Sequence, residues 1–178
     1  PLTPQVEVSQ EGGGVFEQVI TQEHIQEEVP ILDIVFVIDN SGSMGIFQAE
    51  LASQMTAFLN VFLASAADFH LGFITTDGGF LRCSSQVCWI DNTFANPVDW
   101  SQGVINNISV GGSAFEKGIE MAKVFFENQD SIAGGAPGTP FWRDDATTVV
   151  IYVSDEPDQS IGGWSAYTNF FDNLRPSI

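Results

Sequence analysis

The chain has 178 residues, long enough for one domain with a real core, and 44% of them are apolar, with fifteen Phe and four Trp, which argues against general disorder. Five Lys and Arg stand against 23 Asp and Glu, a formal charge of -18, which excludes a nucleic-acid partner because phosphate contacts draw on clustered Lys and Arg, and argues against an anionic membrane surface. Partners are expected to be neutral or cationic, unless a metal reverses the local sign.

Residues 1–14 contain Pro and Gln, end in Gly12-Gly13-Gly14, and read as an arm or linker. Residues 15–21 (V-F-E-Q-V-I-T) suit an edge strand, and Pro30 stops the acidic stretch 22–29. Residues 1–30 are thus an N-terminal arm and residues 31–178 the domain. Ile31–Ile38 (I-L-D-I-V-F-V-I) is a near-continuous apolar run, as in a strand buried on both faces of a parallel sheet. The polar turn D-N-S-G-S-M-G follows, and Phe47, Leu51, Met55, Phe58 and Phe62 then step at helical spacing, predicting a helix to about Ala66.

Residues 69–75 predict a second strand, ending in T-D-G-G, and residues 80–90 a short hairpin or edge strand around the cysteines. Residues 96–107 are mixed, with Pro97 suited to open a short helix. A clearer helix is expected after Gly111-Gly112-Ser113, with Phe115, Ile119, Ala122 and Phe126 on one face. Residues 132–140 form a Gly- and Pro-rich loop, residues 146–153 a buried strand ending in S-D-E-P-D, and residues 164–174 a last short helix. This order indicates an α/β fold, an open, doubly wound, mainly parallel sheet flanked by helices.

The only two cysteines are Cys83 and Cys88. Zinc would need two further ligands, His24 and His70 show no ligand spacing, and a C-x-x-C redox pair needs a shorter gap. We expect a local disulfide closing a polar loop, with two buried free thiols as the alternative reading. A disulfide implies an oxidising compartment, so the protein is expected to be extracytoplasmic: secreted, at the cell surface or periplasmic. No apolar run reaches the eighteen or so residues of a membrane span, so direct membrane insertion is not expected.

In open α/β sheets, ligands bind where loops converge beyond the carboxyl ends of the strands. Two buried strands here end in acidic, hydroxyl-bearing turns, Asp39-Asn40-Ser41-Gly42-Ser43 and Ser154-Asp155-Glu156, and Gly111-Gly112-Ser113 precedes a helix. These are oxygen donors, the ligand type of Mg²⁺. The spacing of Asp39, Ser41 and Ser43 after F-V-I, with M-G following, resembles the metal-ion-dependent adhesion site of von Willebrand factor type A domains. The phrases I-T-T-D, F-W-R-D-D-A and V-S-D-E-P-D-Q-S are similar to a bacterial, exported branch of that family. The resemblance covers roughly residues 31–174. It implies a Rossmann-like doubly wound sheet and a metal held by Asp39, Ser41, Ser43, Ser113 and Asp155. Mg²⁺ is the first choice there, with Mn²⁺ or Ca²⁺ as alternatives. It further implies that the cation grips an acidic or oxygen-donor group of a protein or glycan on a surface. The family continues with more strands, so the chain is expected to be truncated at its C-terminal end, leaving the strand at residues 149–153 at an edge.

Each residue has a plainer reading. Ser41 and Ser43 precede a helix, where Ser ordinarily caps free N–H groups, and Ser113 with Glu116 spells a capping box. Asp77 could support the site from behind the ligands, or simply shape the turn before Gly78-Gly79. Glu156 and Asp158 tune the field or belong to a solvated loop. Trp142 and Trp164 are candidate rim residues for ligand contact, as are Phe141 and Tyr167; core packing is the alternative. No catalytic set emerges. The haloacid dehalogenase pattern needs an acid where Ser41 stands, the Ser113 turn lacks the closing Gly of G-x-S-x-G, and no G-x-G-x-x-G follows the first strand. The chief alternative to adhesion is a structural module of a pilus, fibre or envelope complex, in which the metal only stabilises loops.

Overall fold

The computed structural model describes residues 29–128 and 140–174, together with the backbone of Val6–Glu7 (β1) and Val19–Ile20 (β2). Most of the predicted arm, the acidic stretch and the loop 132–140 lie outside the described residues. β1 and β2 pair antiparallel in a two-stranded sheet, so the described part of the predicted edge strand pairs within the arm and not with the main sheet.

That main sheet has the order β5-β4-β3-β6, built from β3 (Ile31–Ile38), β4 (Asp68–Thr75), β5 (Trp89–Asp91) and β6 (Thr147–Val153). β3 runs parallel to both β4 and β6, and β5 is antiparallel to β4. Helix α1 (Gly45–Ser65) follows β3, α2 (Pro97–Asn106) and α3 (Gly118–Glu127) lie between β5 and β6, and α4 (Thr168–Asp172) follows β6. The result is a mixed, mostly parallel α/β sheet flanked by helices. Among the described residues no helix is long and apolar enough to cross a membrane.

The uninterrupted apolar run of β3 follows from burial on both faces. Successive strand side chains alternate between faces: Ile34, Phe36 and Ile38 meet one cluster with α1 and α2, while Val35 and Val37 meet another with α3 and Phe141. β6 ends the strand order and is only partly buried along its length. The α1 stripe sits one position from the expected one. Gln48, Ala52, Met55 and Leu59 are buried and Phe47 is exposed, while Phe58 and Phe62 flank the stripe and pack edge-on to Phe36 and Phe69. α3 starts later than predicted, leaving Phe115 outside the helix and 65% exposed.

Cys83 and Cys88 form a disulfide, as expected. The loop it closes carries an isolated Ser84–Val87 bridge and is held to α2 by the Trp100 indole N–H, which donates to Val87 O at 3.1 Å. At the amino end of the sheet, Arg143 ties three elements together. Its backbone N–H and Nε reach the two oxygens of the fully buried Asp33 at 2.8 and 2.9 Å, and Nη1 reaches Asp68 at 2.7 Å. Trp142 belongs to this end, packed on Phe126 with ring centroids 4.8 Å apart. This corrects its assignment as a rim residue. A strand parallel to β3 must begin at the amino end, so the segment just before β6 cannot border the carboxyl-end loops. Phe141 is likewise core, 1% exposed, and Tyr167 is buried.

Candidate metal centre

Sheet register builds the centre. Ile38 pairs with Thr75 on one side and Val153 on the other, so Asp39, Thr76 and Ser154 emerge side by side. Two further bonds extend the ladders beyond the strands, from the Asp39 N–H to Val153 O at 2.9 Å and from the Thr76 N–H to Ile38 O at 3.1 Å. Asp39 is fully buried. Its Oδ1 accepts the Ser41 N–H at 2.8 Å, which curls the chain into the Gly42–Met44 turn, and its Oδ2 accepts the Ser154 hydroxyl at 2.7 Å. Met44 is fully buried and anchors that turn, and the Gln48 amide donates to Asp39 O at 2.9 Å from the first turns of α1.

The serines do not cap. No side-chain capping bond forms at Ser41 or at the start of α1. Instead the Ser41 and Ser43 hydroxyls lie 3.1 Å apart, and Ser43 donates to Asp155 Oδ1 at 3.3 Å. Asp39, Ser41, Ser43 and Asp155 thus form one connected set of oxygens from two strand-end loops.

Ser113 joins less directly. Its N–H donates to Asp77 Oδ2 at 2.8 Å, and the Asn40 amide reaches the same oxygen at 3.3 Å. Asp77 therefore ties the Ser113 loop to the Asp39 loop. Gly112 is required there: its N–H donates to Asn40 O at 2.9 Å, and a Cβ would collide with the Asn40 and Asp77 side chains. The Ser113 hydroxyl accepts the Phe115 N–H at 3.0 Å and remains exposed. No hydrogen bond joins it to the Asp39 set among the described residues.

The capping box that Ser113 and Glu116 spell does not form. Glu116 turns inward, 1% exposed, with Oε2 accepting the Thr76 hydroxyl at 2.8 Å and Oε1 lacking a partner among the described residues. The first amides of α3 are satisfied from the loop after β6, by Asp158 Oδ2 at 2.9 Å from Ile119 N and Ser160 Oγ at 2.9 Å from Glu120 N. Asp158 is thus a cap supplied through space, not only part of a solvated loop. In the sequence Glu116 reads only as half of a capping box and Ser154 only as part of the turn after the strand, while Thr76 and Gln48 carry no local signal. For Ser154 a signal existed, its position next to Asp155 at a strand end; for the other three the orientation depends on neighbours distant in the chain.

The electrostatics is one-sided. Burial would raise the Asp39 carboxyl, but bonds from Ser154 and from the Ser41 amide and hydroxyl outweigh it and hold the group below its ordinary range. Glu116 is pushed up to about 7 by burial, reinforced by the Asp39 and Asp77 charges against the Thr76 bond. No Lys or Arg forms a salt bridge with Asp39, Asp77, Glu116 or Asp155 among the described residues. The candidate residues Asp39, Ser41, Ser43, Ser113 and Asp155 offer oxygen donors only, the donor chemistry that suits a hard dication such as Mg²⁺. Their two carboxylates with three hydroxyls differ from a cluster of three or more His, Cys, Asp or Glu ligands, of which none occurs among the described residues. Trp164 stands in the loop after β6, 54% exposed, with one face stacked on Phe171 at 5.7 Å. No protein-family model matches the chain, and no curated protein matches it.

Proposed function

We propose that this chain is a von Willebrand factor type A domain of the exported, bacterial kind, whose loops hold a divalent cation and use it to grip a partner. The reading rests chiefly on one observation: the Ser41 and Ser43 hydroxyls, free of any capping duty, face each other at 3.1 Å and reach Asp155 at 3.3 Å beside the buried Asp39. Asp39, Ser41, Ser43, Ser113 and Asp155 would supply the ligands, some through water, with one metal position open. Two carboxylates against a dication leave the centre near neutral, so an acidic side chain or other oxygen donor from a protein or glycan can complete the coordination. Without the cation, a chain of charge -18 would repel such a group. The function is binding and not catalysis. The Cys83–Cys88 disulfide supports an oxidising, extracytoplasmic setting.

Calorimetric titration of chelator-treated protein with Mg²⁺ and Mn²⁺ tests the reading. The expected result is saturable binding near one ion per chain, lost in Asp39→Ala. A folded protein that binds neither ion would overturn it.

A further inference from the structure

Ser154 touches the centre without being one of its candidate ligands. Its hydroxyl lies 2.7 Å from Asp39 Oδ2 and 3.0 Å from Glu156 O, and it accepts the Glu156 N–H at 3.1 Å. A hydroxyl has a single proton to give. The nearer, charged acceptor takes it, because bonds to ionised groups are the shorter and stronger ones. The proton of Ser154 is thus committed to Asp39, and one of its lone pairs to its own loop.

That placement couples two carboxylates. Asp39 Oδ1 is held by the Ser41 N–H, so the Ser154 bond to Oδ2 stops the carboxylate from turning. The bond from the Glu156 N–H closes a turn around Asp155, whose Oδ1 accepts the Ser43 hydroxyl at 3.3 Å. One hydroxyl therefore fixes both the orientation of Asp39 and the placement of Asp155. The fold does not depend on it. The Asp39 N–H bonds to Val153 O at 2.9 Å, so the backbone ladder already closes one residue earlier, and Ser154 itself is exposed. Water can replace the lost donor at such a position, but it cannot hold the carboxylate in one direction.

Rigidity of that kind separates cations. Mg²⁺ demands near-ideal octahedral geometry at about 2.0–2.1 Å, whereas Ca²⁺ accepts flexible arrangements of oxygens at about 2.3–2.6 Å. Groups that hold metal ligands from behind typically account for about 10–100-fold in affinity. Resting on the metal-dependent reading above, we propose that Ser154 is a positioning residue that fixes Asp39 and Asp155 relative to each other and thereby sets a preference for Mg²⁺ over the larger Ca²⁺.

The test is calorimetric titration of the chelator-treated parent, Ser154→Ala and Ser154→Thr with Mg²⁺ and with Ca²⁺, beside denaturant unfolding of each chain with chelator. Ser154→Ala is expected to bind Mg²⁺ about tenfold more weakly or worse, and Ca²⁺ less than about threefold more weakly, so that the preference between the two ions narrows. Its unfolding midpoint with chelator should stay close to that of the parent. Ser154→Thr keeps the hydroxyl and should bring Mg²⁺ affinity back to within about threefold of the parent. Unchanged Mg²⁺ affinity in Ser154→Ala overturns the proposal and leaves the metal reading standing. Equal losses for both ions, together with a lowered midpoint or without recovery in Ser154→Thr, assign Ser154 a structural role and overturn it too. A folded parent that binds neither ion overturns the metal reading, and this proposal with it.

Discussion

The two ends of the sheet each bury an aspartate of β3 or its exit, and they neutralise it differently. At the amino end, Asp33 meets a guanidinium, with Arg143 Nε at 2.9 Å and the Arg143 N–H at 2.8 Å. At the carboxyl end, Asp39 meets hydroxyls, the Ser41 amide and the Glu116 carboxyl, which keeps its proton, with Asp77 and Asp155 nearby and no salt bridge to it among the described residues. Both aspartates are 0% exposed. The amino end carries its own cation and is a clamp on the fold. The carboxyl end concentrates oxygen donors and negative charge, an arrangement that pure stability would disfavour and that an outside cation would relieve.

The sharpest way to break this comparison is to neutralise each aspartate in turn. Asp33→Asn removes the buried charge facing Arg143, which keeps its bonds to Asp68 and Leu32 O, and should cost about 3 kcal/mol, the lower end of the range for breaking a buried ion pair. Asp39→Asn keeps one acceptor oxygen, for the Ser41 N–H, and offers the Ser154 hydroxyl an amide donor in place of the second, while removing a charge from an acidic group, so the metal-free variant should be at least as stable as the metal-free parent. It should also lose cation binding. Denaturant unfolding of both variants with chelator measures the contrast, and equal destabilisation would contradict it.

The ends should also respond to pH with opposite sign. Between the ordinary value of 4.5 and about 7, the folded chain keeps the Glu116 proton that the unfolded chain has released. That contribution to stability is full below 4.5 and is lost as pH rises through about 7. At about 1.4 kcal/mol per unit the loss is on the order of 3 kcal/mol. Burial lowers the His70 value at the amino end below 6.5, against the bond its Nδ1–H donates to Phe141 O. There the unfolded chain takes up the proton first, and stability falls as pH drops below 6.5. Unfolding midpoints of chelator-treated parent and Glu116→Gln across pH 4–8 separate the two, and the variant should lack the decline toward pH 7.

A smaller effect attaches to the disulfide. It joins residues five apart in sequence, so loop-closure entropy allows about 2 kcal/mol. Its hairpin leads into β5, whose Trp89 packs on His70 with ring centroids 4.3 Å apart. Replacing both cysteines by Ser should lower the thermal midpoint and leave ion stoichiometry unchanged. A coupled loss of ion binding would show that the two ends are not independent.

Sequence by itself determined the strands: burial on both faces demands the apolar run at Ile31–Ile38, and the β-branched run at Thr147–Val153 marks a strand although that strand is only partly buried. It also determined the disulfide partners, since only two cysteines exist, and the acid-and-hydroxyl turns after β3 and β6, because their order along the chain is local. Tertiary structure decided which way side chains point. S-x-x-E reads as a capping box, yet α3 starts two residues beyond Glu116, with its first amides met by Asp158 and Ser160. That frees the Glu116 carboxyl to turn into the site. Helical spacing selected Phe47, whereas Gln48 is buried, because an amide donor was needed at Asp39 O. Trp142 and Trp164 look alike as loop aromatics, and only the return of the chain to the amino end before β6 sends them to opposite ends of the sheet. Periodicity records how much of an element is buried; the partner that buries it is set by segments far away in the chain.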